Sequence, residues 1–246
     1  MSRKRMLRDS PVKRAILRGP FPVSGEKLAG EFGISRVAVW KHVRELKKLG
    51  YSIRSTGKGY VVEGRPDVPY PWELPVKAVY LPETSSTMDV AWNLEDWEFA
   101  IAGTQRSGRG RRGASWFSPP GGLYVSLPIS ERLSLEAGRK LSKPVLSAVL
   151  RILREMGVRA VPVENGLYVD GRKLGGVLVE ISGEMGEVKR AVVGLGLNVK
   201  NPVPAGAVSL QMLLGSVSLL QVAKRVLPSV EEELRKFLRS ARSFER

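Results

Sequence analysis

Four small residues between positions 24 and 50 dictate where helices can start and stop: Ser24, Gly33, Ser35 and Gly50. A serine just before an apolar-periodic run is a helix N-cap, and a glycine just after one is a left-handed C-terminal stop. Ser24 therefore opens a short helix with Leu28, Ala29 and Phe32 on its inner face, and Gly33 closes it. Ser35 opens a second helix, with Val37, Val39, Trp40, Val43, Leu46 and Leu49 as its apolar face, and Gly50 ends it. Upstream, residues 1–19 read as a basic amphipathic helix that stops at Gly19-Pro20-Phe21-Pro22, because proline cannot continue a helix. Downstream, Tyr51–Ser55 and Tyr60–Val62 read as strands flanking the turn Thr56-Gly57-Lys58-Gly59. A short helix, a glycine turn, a second helix and a basic hairpin make a winged helix-turn-helix.

The charge follows the same division. Residues 1–65 hold 16 Lys/Arg against 5 Asp/Glu, whereas residues 66–246 hold 24 against 19. A cationic excess at the helix-turn-helix end fits double-stranded DNA as its partner, with a winged helix used for protein contacts or a basic surface without a partner as the alternatives. Ser35, Arg36 and Val37, at the start of the second helix, are placed to reach base edges. Lys41 and Arg44 point toward phosphates, and Arg54 and Lys58 on the hairpin suit the backbone or the minor groove. His42, the single histidine, lies on the same helix and reads as a surface residue. No cysteine is present, which excludes disulfides, Cys-ligated zinc, iron–sulfur clusters and a thiol nucleophile. One histidine excludes a His-cluster metal site, so no metal ligands are assigned. No long apolar run or signal-peptide core is evident, so a cytoplasmic protein without a membrane span is expected.

Gly64 to Pro75, with prolines at 66, 69, 71 and 75, reads as a linker. The expected organisation is a winged-helix domain over 1–65, a linker over 66–75 and a second domain over 76–246. In that second domain strands are expected at 76–81, 99–103, 123–128, 158–163, 167–169, 175–181 and 190–197. Helices are expected at 84–94, across most of 135–156, and over 217–239 with an interruption near Pro228. Hairpin spacing around Asp170-Gly171 implies antiparallel pairs, so the fold class is α+β, with a mixed sheet.

Three segments carry chemistry. Gly108-Arg109-Gly110-Arg111-Arg112-Gly113 has the spacing of a dinucleotide fingerprint, but Ser118-Pro119-Pro120-Gly121-Gly122 soon follows where a helix would be needed. What remains is a flexible loop with three guanidinium groups, suited to carboxylates and phosphates. Gly194-Leu195-Gly196-Leu197-Asn198 ends a strand with small residues that let a ligand approach the sheet. Gly171-Arg172-Lys173-Leu174-Gly175-Gly176 places a lysine on a hairpin.

Taken in order, these segments resemble the bifunctional biotin protein ligases that double as biotin operon repressors. SGEKLAGEFGISRVAVWKHVRELKKLGYSI with GKGYVV is similar to the family's winged helix. ETSSTMDVA, GTQRSGRGRRGASWFSPPGGLYVSL, GRKLGGVLVEISG and VVGLGLNV resemble successive pieces of its catalytic domain. The resemblance implies ATP-dependent activation of biotin to biotinyl-adenylate, with Mg2+, and transfer to a lysine of a biotin carboxyl carrier domain. It implies a homodimer on DNA in the adenylate-bound state. By position, Ser86, Thr87 and Gln105 would contact biotin, with Gly176 and Gly196 flooring its pocket. Gly108, Arg109, Gly110, Arg111 and Arg112 would form the loop over biotin and adenylate, the arginines acting in catalysis. Trp116, Asn165, Asn198 and Arg112 would meet the nucleotide. The family's Lys-Trp-Pro-Asn-Asp aligns with Pro162-Val163-Glu164-Asn165-Gly166, so its lysine and aspartate are replaced. Related lipoate ligases carry a catalytic lysine at the hairpin position of Lys173, which makes Lys173 the substitute candidate. The family's small C-terminal β-barrel has no counterpart before Arg246. Two alternatives stand beside the ligase reading: a biotin-sensing regulator that kept the pocket without the chemistry, and a lipoate or octanoate transfer enzyme.

Overall fold

A computed structural model describes residues 6–184 and 186–244. The chain divides into two compact units, one spanning Arg8–Val68 and one running from Pro69 onward and taking in Leu7.

The first unit is a three-helix bundle with a wing. Helix α1 (Pro11–Arg18) begins at Ser10, whose Oγ accepts from the Lys13 amide at 3.3 Å, and carries proline at its first position. It is shorter than the 1–19 expectation: Leu7–Arg8 is a strand, β1, and residues 1–5 lie outside the described residues. Ser24 caps α2 (Gly25–Phe32), and Gly33 ends it in the left-handed region at φ 61°. Ser35 caps α3 (Arg36–Lys48) through the Ala38 amide at 3.1 Å. Ile16, Leu17, Leu28, Val39, Val43 and Leu46 are buried together with Tyr51 and Ile53. Burying each such side chain contributes roughly 1.5–3 kcal/mol. Val37 and Trp40, expected on this inner face, lie on the exposed side instead. One helical stripe is enough to cover α1 and α2, and Val39, Val43 and Leu46 already supply it.

The wing is the antiparallel pair β2 (Ser52–Thr56) and β3 (Gly59–Gly64). Tyr60 exchanges backbone hydrogen bonds with Val23 at 2.8 and 2.9 Å, tying the wing to the start of α2. Gly59 is required there. Its φ is 134°, and a Cβ would lie 2.2 Å from the Val23 carbonyl oxygen.

The second unit is one mixed sheet in the order β1-β4-β5-β6-β11-β10-β9-β8, with β7 also paired to β11. Its strands are β4 (Ala78–Leu81), β5 (Phe99–Ala102), β6 (Leu123–Ile129), β7 (Leu133–Ser134), β8 (Val161–Val163), β9 (Gly166–Val169), β10 (Arg172–Glu184) and β11 (Glu187–Leu197). β4 and β5 are parallel, and the pairs from β5 through β8 are antiparallel. All seven residues of β6 are buried, so both faces of the sheet are covered at its centre. The helices are α4 (Thr87–Ala91), α5 (Leu135–Arg139), α6 (Ser142–Glu155), α7 (Leu210–Leu214) and α8 (Leu219–Phe244).

Four local expectations are corrected. The helix expected at 84–94 shrinks to α4, because Thr84 is spent on a parallel bridge to Gln105 and Ser86 provides the cap. The strand expected from 158 starts at Val161, because the Val158 amide caps α6 on the Leu153 carbonyl at 2.9 Å. The interruption at Pro228 is absent: α8 is continuous through it. Val222, Ala223, Val226 and Leu227 before it and Val230, Leu234 and Leu238 after it are all buried. That burial offsets the roughly 3 kcal/mol a mid-helix proline costs. The proline-rich stretch is not an open tether at its far end, since Tyr70, Trp72 and Leu74 are buried and Tyr70 stacks on Trp72 with centroids 5.2 Å apart.

Candidate active site

The β10–β11 ladder sets Gly176 opposite Gly196 and Leu178 opposite Gly194. Removing side chains at these positions leaves a depression on the sheet. A Cβ on Gly196 would lie 2.5 Å from the Trp116 ring, and one on Gly194 would lie 2.6 Å from the Met88 sulfur. The depression is the floor of a cavity of about 240 Å3.

The start of α4 forms one wall. The Gln105 Oε1 accepts from the Thr87 amide at 2.8 Å and the Thr87 hydroxyl at 3.1 Å, and the Thr87 and Ser126 hydroxyls lie 2.7 Å apart. The Gln105 amide nitrogen donates to Ser118 Oγ at 2.9 Å. Ser86 and Thr87 are buried, so this polar chain is held rigidly and faces the cavity.

The arginine loop is the roof. It is folded as a small hairpin rather than left open. Arg109 bridges Ser115, the Gly110 amide donates to the Ala114 carbonyl at 2.6 Å, and the Trp116 amide donates to the Gly108 carbonyl at 2.8 Å. Arg112 sits at the turn with φ 56°. Each guanidinium meets a carboxylate. Arg109 reaches Asp89 at 2.8 Å and Glu180 at 3.1 Å, Arg111 pairs with Glu164, and Arg112 lies 4.0 Å from Glu164. The bond to Asp89 is the largest reason that the Arg109 pKa is raised, with Glu180 adding to it.

The far wall comes from the β8–β9 turn and from β10. Glu164 has φ 51°, and Asn165 accepts from the Ser142 hydroxyl at 3.1 Å. The Lys173 Nζ stands 5.2 Å from the centre of the Trp116 ring. The Trp116 Nε1 is buried without a hydrogen-bond partner among the described residues.

Of the residues assigned to biotin, nucleotide and catalysis, twelve line this cavity: Ser86, Thr87, Gln105, Arg109, Gly110, Arg111, Arg112, Trp116, Asn165, Lys173, Gly176 and Gly196. Two do not. Gly108 is buried beneath the loop, where a Cβ would strike the Trp116 carbonyl oxygen at 2.5 Å. Asn198 is buried behind the wall, with its amide donating to the Lys173 carbonyl at 3.3 Å and its Oδ1 accepting from Asn201 at 3.0 Å. Sequence reading also missed Ser126, and it named Gly194 only within the small-residue strand end. Their two-residue spacing in strands that include Tyr124 and Gly196 is the signal that would place them on the cavity side. Glu164 is visible as a negative charge in the segment aligned with the family's lysine motif, whereas Asp89 and Glu180 have no such signal, because their partner comes from a loop distant in sequence.

The comparisons agree with this geometry. Residues 80–198 match the Biotin/lipoate A/B protein ligase family, and residues 13–61 match an HTH domain. The stretch that matches the ligase family lies within the larger unit. The chain is 34% identical over 195 residues to the bifunctional ligase/repressor BirA of Escherichia coli (strain K12), covering 72% of this chain and 59% of that protein. It is 29% identical to the protein of the same description from Bacillus subtilis (strain 168), covering 72% and 60%. The chain thus spans about three-fifths of the length of these curated relatives. Among solved structures, biotin protein ligase from Aquifex aeolicus in complex with biotin and ATP aligns with a TM-score of 0.56 and 28% identity, over 67% of this chain and 73% of that one. The α+β class and the pairing of a helix-turn-helix with a mixed-sheet, ligase-like domain are therefore established. Among the described residues no helix of the larger unit, or of the smaller unit, is long and apolar enough to cross a membrane.

Proposed function

We propose that the ligase domain activates biotin with ATP and passes it to a lysine of a carrier domain, and that the winged helix binds duplex DNA as a biotin-responsive repressor. The observation that carries this reading is the meeting of a glycine floor, a three-arginine roof and Lys173 around one cavity. Activation brings a carboxylate against a triphosphate, so cations must offset the repulsion and the charge that builds on the leaving group. The biotin carboxylate oxygen attacks the α-phosphorus, the bond to the β-phosphate oxygen breaks, and pyrophosphate leaves. A neutral carrier amine then attacks the anhydride carbonyl, AMP departs with the bonding electron pair, and the amine proton passes to solvent.

Lys173 and Arg111 are assigned to the carboxylate and α-phosphate, Arg109 and Gly110 to closure over biotin, and Arg112, Trp116 and Asn165 to the nucleotide. Ser86, Thr87 and Gln105 offer donors and acceptors for the polar groups of biotin, while Gly176 and Gly196 make room for its rings. Asn198 is reassigned from nucleotide contact to positioning of Lys173. Among the described residues no three His, Cys, Asp or Glu side chains gather as a metal cage. Magnesium is therefore expected to arrive with the ATP phosphates, whose charge it would neutralise. A homodimer on DNA, with adenylate favouring the dimer, completes the proposal.

One observation favours the regulator that binds without turnover: Glu164 neutralises Arg111 and stands near Arg112 inside the same cavity. Biotin-dependent exchange of labelled pyrophosphate into ATP, measured with magnesium on the purified chain, separates the two. Exchange supports the ligase. Biotin binding by calorimetry without exchange supports the regulator. Stronger competition by lipoate or octanoate than by biotin would transfer the assignment to the related acyl-transfer enzymes.

A further inference from the structure

The exposed face of α3 carries two large apolar side chains beside Arg44 at its centre, and cationic margins. At about 100° per residue, Trp40, Arg44 and Val37 occupy the middle of an outward arc of about 140°. Arg36 and Lys47 lie on one margin of the arc, and Lys41 and Lys48 on the other. Val39, Val43 and Leu46 face the opposite way and are buried. Val37 is 61% exposed and Trp40 is 47% exposed, although both are large apolar side chains. The Arg44 guanidinium carbon lies 5.3 Å from the Trp40 ring centre, which steadies the ring on the surface. Glu45, the single acidic residue of α3, is turned to Lys13 at 3.0 Å, so no carboxylate interrupts the cationic margins.

Leaving two such side chains in water gains nothing for the fold. A cross-section with Trp40 and Val37 exposed on either side of Arg44, between two cationic margins, is the complement of a DNA major groove. There the phosphates form two rails, and the thymine C5-methyl is the apolar group on the floor. The unit as a whole favours that partner, with 13 Lys/Arg against 6 Asp/Glu over residues 8–68.

We propose that Val37 and Trp40 read thymine methyl groups in the major groove and so set the sequence preference of the winged helix, while Arg36, Lys41, Lys47 and Lys48 grip the two backbones. This deepens the DNA-binding reading and rests on it.

The test uses the full chain and a randomised duplex pool. A selected site is resynthesised with deoxyuridine in place of each thymidine in turn, which removes only the methyl group. The intact chain is expected to lose about three- to tenfold in affinity at one or more positions, the worth of one apolar contact. Val37→Ala and Trp40→Ala should each abolish that discrimination at their own position. Both should keep wild-type binding to random duplex at low salt and the same salt slope, because the phosphate contacts remain. Both residues are exposed, so the variants fold, and Trp40→Phe should retain part of the preference. If deoxyuridine costs nothing at any position, or if both alanine variants discriminate as the intact chain does, the proposal is overturned and the stripe belongs to a protein partner. If no duplex is retained even at low salt, the DNA-binding reading falls together with it.

Discussion

The side-chain amide of Asn198 donates to the backbone carbonyl of Lys173 at 3.3 Å. The Lys173 amide donates to the Gly206 carbonyl at 2.9 Å, and its carbonyl also accepts from the Val208 amide at 3.0 Å. The lysine is therefore held by its backbone while its ammonium group projects toward Trp116 and the cavity. Replacing Lys173 by Ala is expected to lower pyrophosphate exchange about 10²–10³-fold, the usual cost of one charge-stabilising donor. Asn198→Ala is expected to act less severely on the rate, but to lower stability by about 0.5–1.5 kcal/mol, because the Asn201 amide loses one of its two acceptors and keeps the Pro202 carbonyl. Exchange kinetics and thermal melting measured side by side check both.

Arg111 is paired with Glu164, and an incoming phosphate must compete with that carboxylate. Glu164→Gln removes the charge and keeps the size. ATP and pyrophosphate are expected to bind about two- to fivefold more tightly, a modest gain because the pair is partly solvated. Equal affinities by calorimetry would show that Glu164 leaves the arginine on ligand binding without cost.

At Gly196 there is no space for a side chain beneath Trp116. Gly196→Ala is expected to weaken biotin binding by about five- to 150-fold, the range that overpacking by one methyl group produces. Circular dichroism should be unchanged, and calorimetric titration with biotin reads the effect.

Arg109 ties the roof of the cavity to α4 through Asp89 and to β10 through Glu180, and Glu180 also accepts from the Trp92 indole at 3.1 Å. Glu180→Gln weakens that tie. Trypsin should then cut after Arg109, Arg111 and Arg112 about two- to fivefold faster in the ligand-free chain, because opening of the loop becomes easier. Mass spectrometry of a timed digest locates the cuts.

Pro228 lies inside α8 without disrupting it. Pro228→Ala restores a backbone donor, offset in part by greater freedom of the unfolded chain. A net stabilisation of about 1–2 kcal/mol is expected, visible as a higher midpoint in denaturant unfolding.

The sequence by itself determined the elements whose signals act within a turn or two of the chain. Ser24, Gly33 and Ser35 place the helix ends, and Asp170-Gly171, both at positive φ, close the β9–β10 hairpin. The glycines at 176 and 196 were marked as pocket residues by the resemblance to the family's strands, not by their composition alone. Only the tertiary structure decided which long-range partners those elements meet. Val37 and Trp40 turned outward because three other residues of α3 had already filled its inner stripe. Pro228 stayed helical because burial on both sides of it outweighed a local penalty. Asp89, Glu164 and Glu180 became partners of the arginine loop, and Asn198 became the brace of Lys173, through contacts between segments far apart in the chain. Backbone preference is a short-range property and can be read in order, whereas a side chain's partner depends on every element that packs around it.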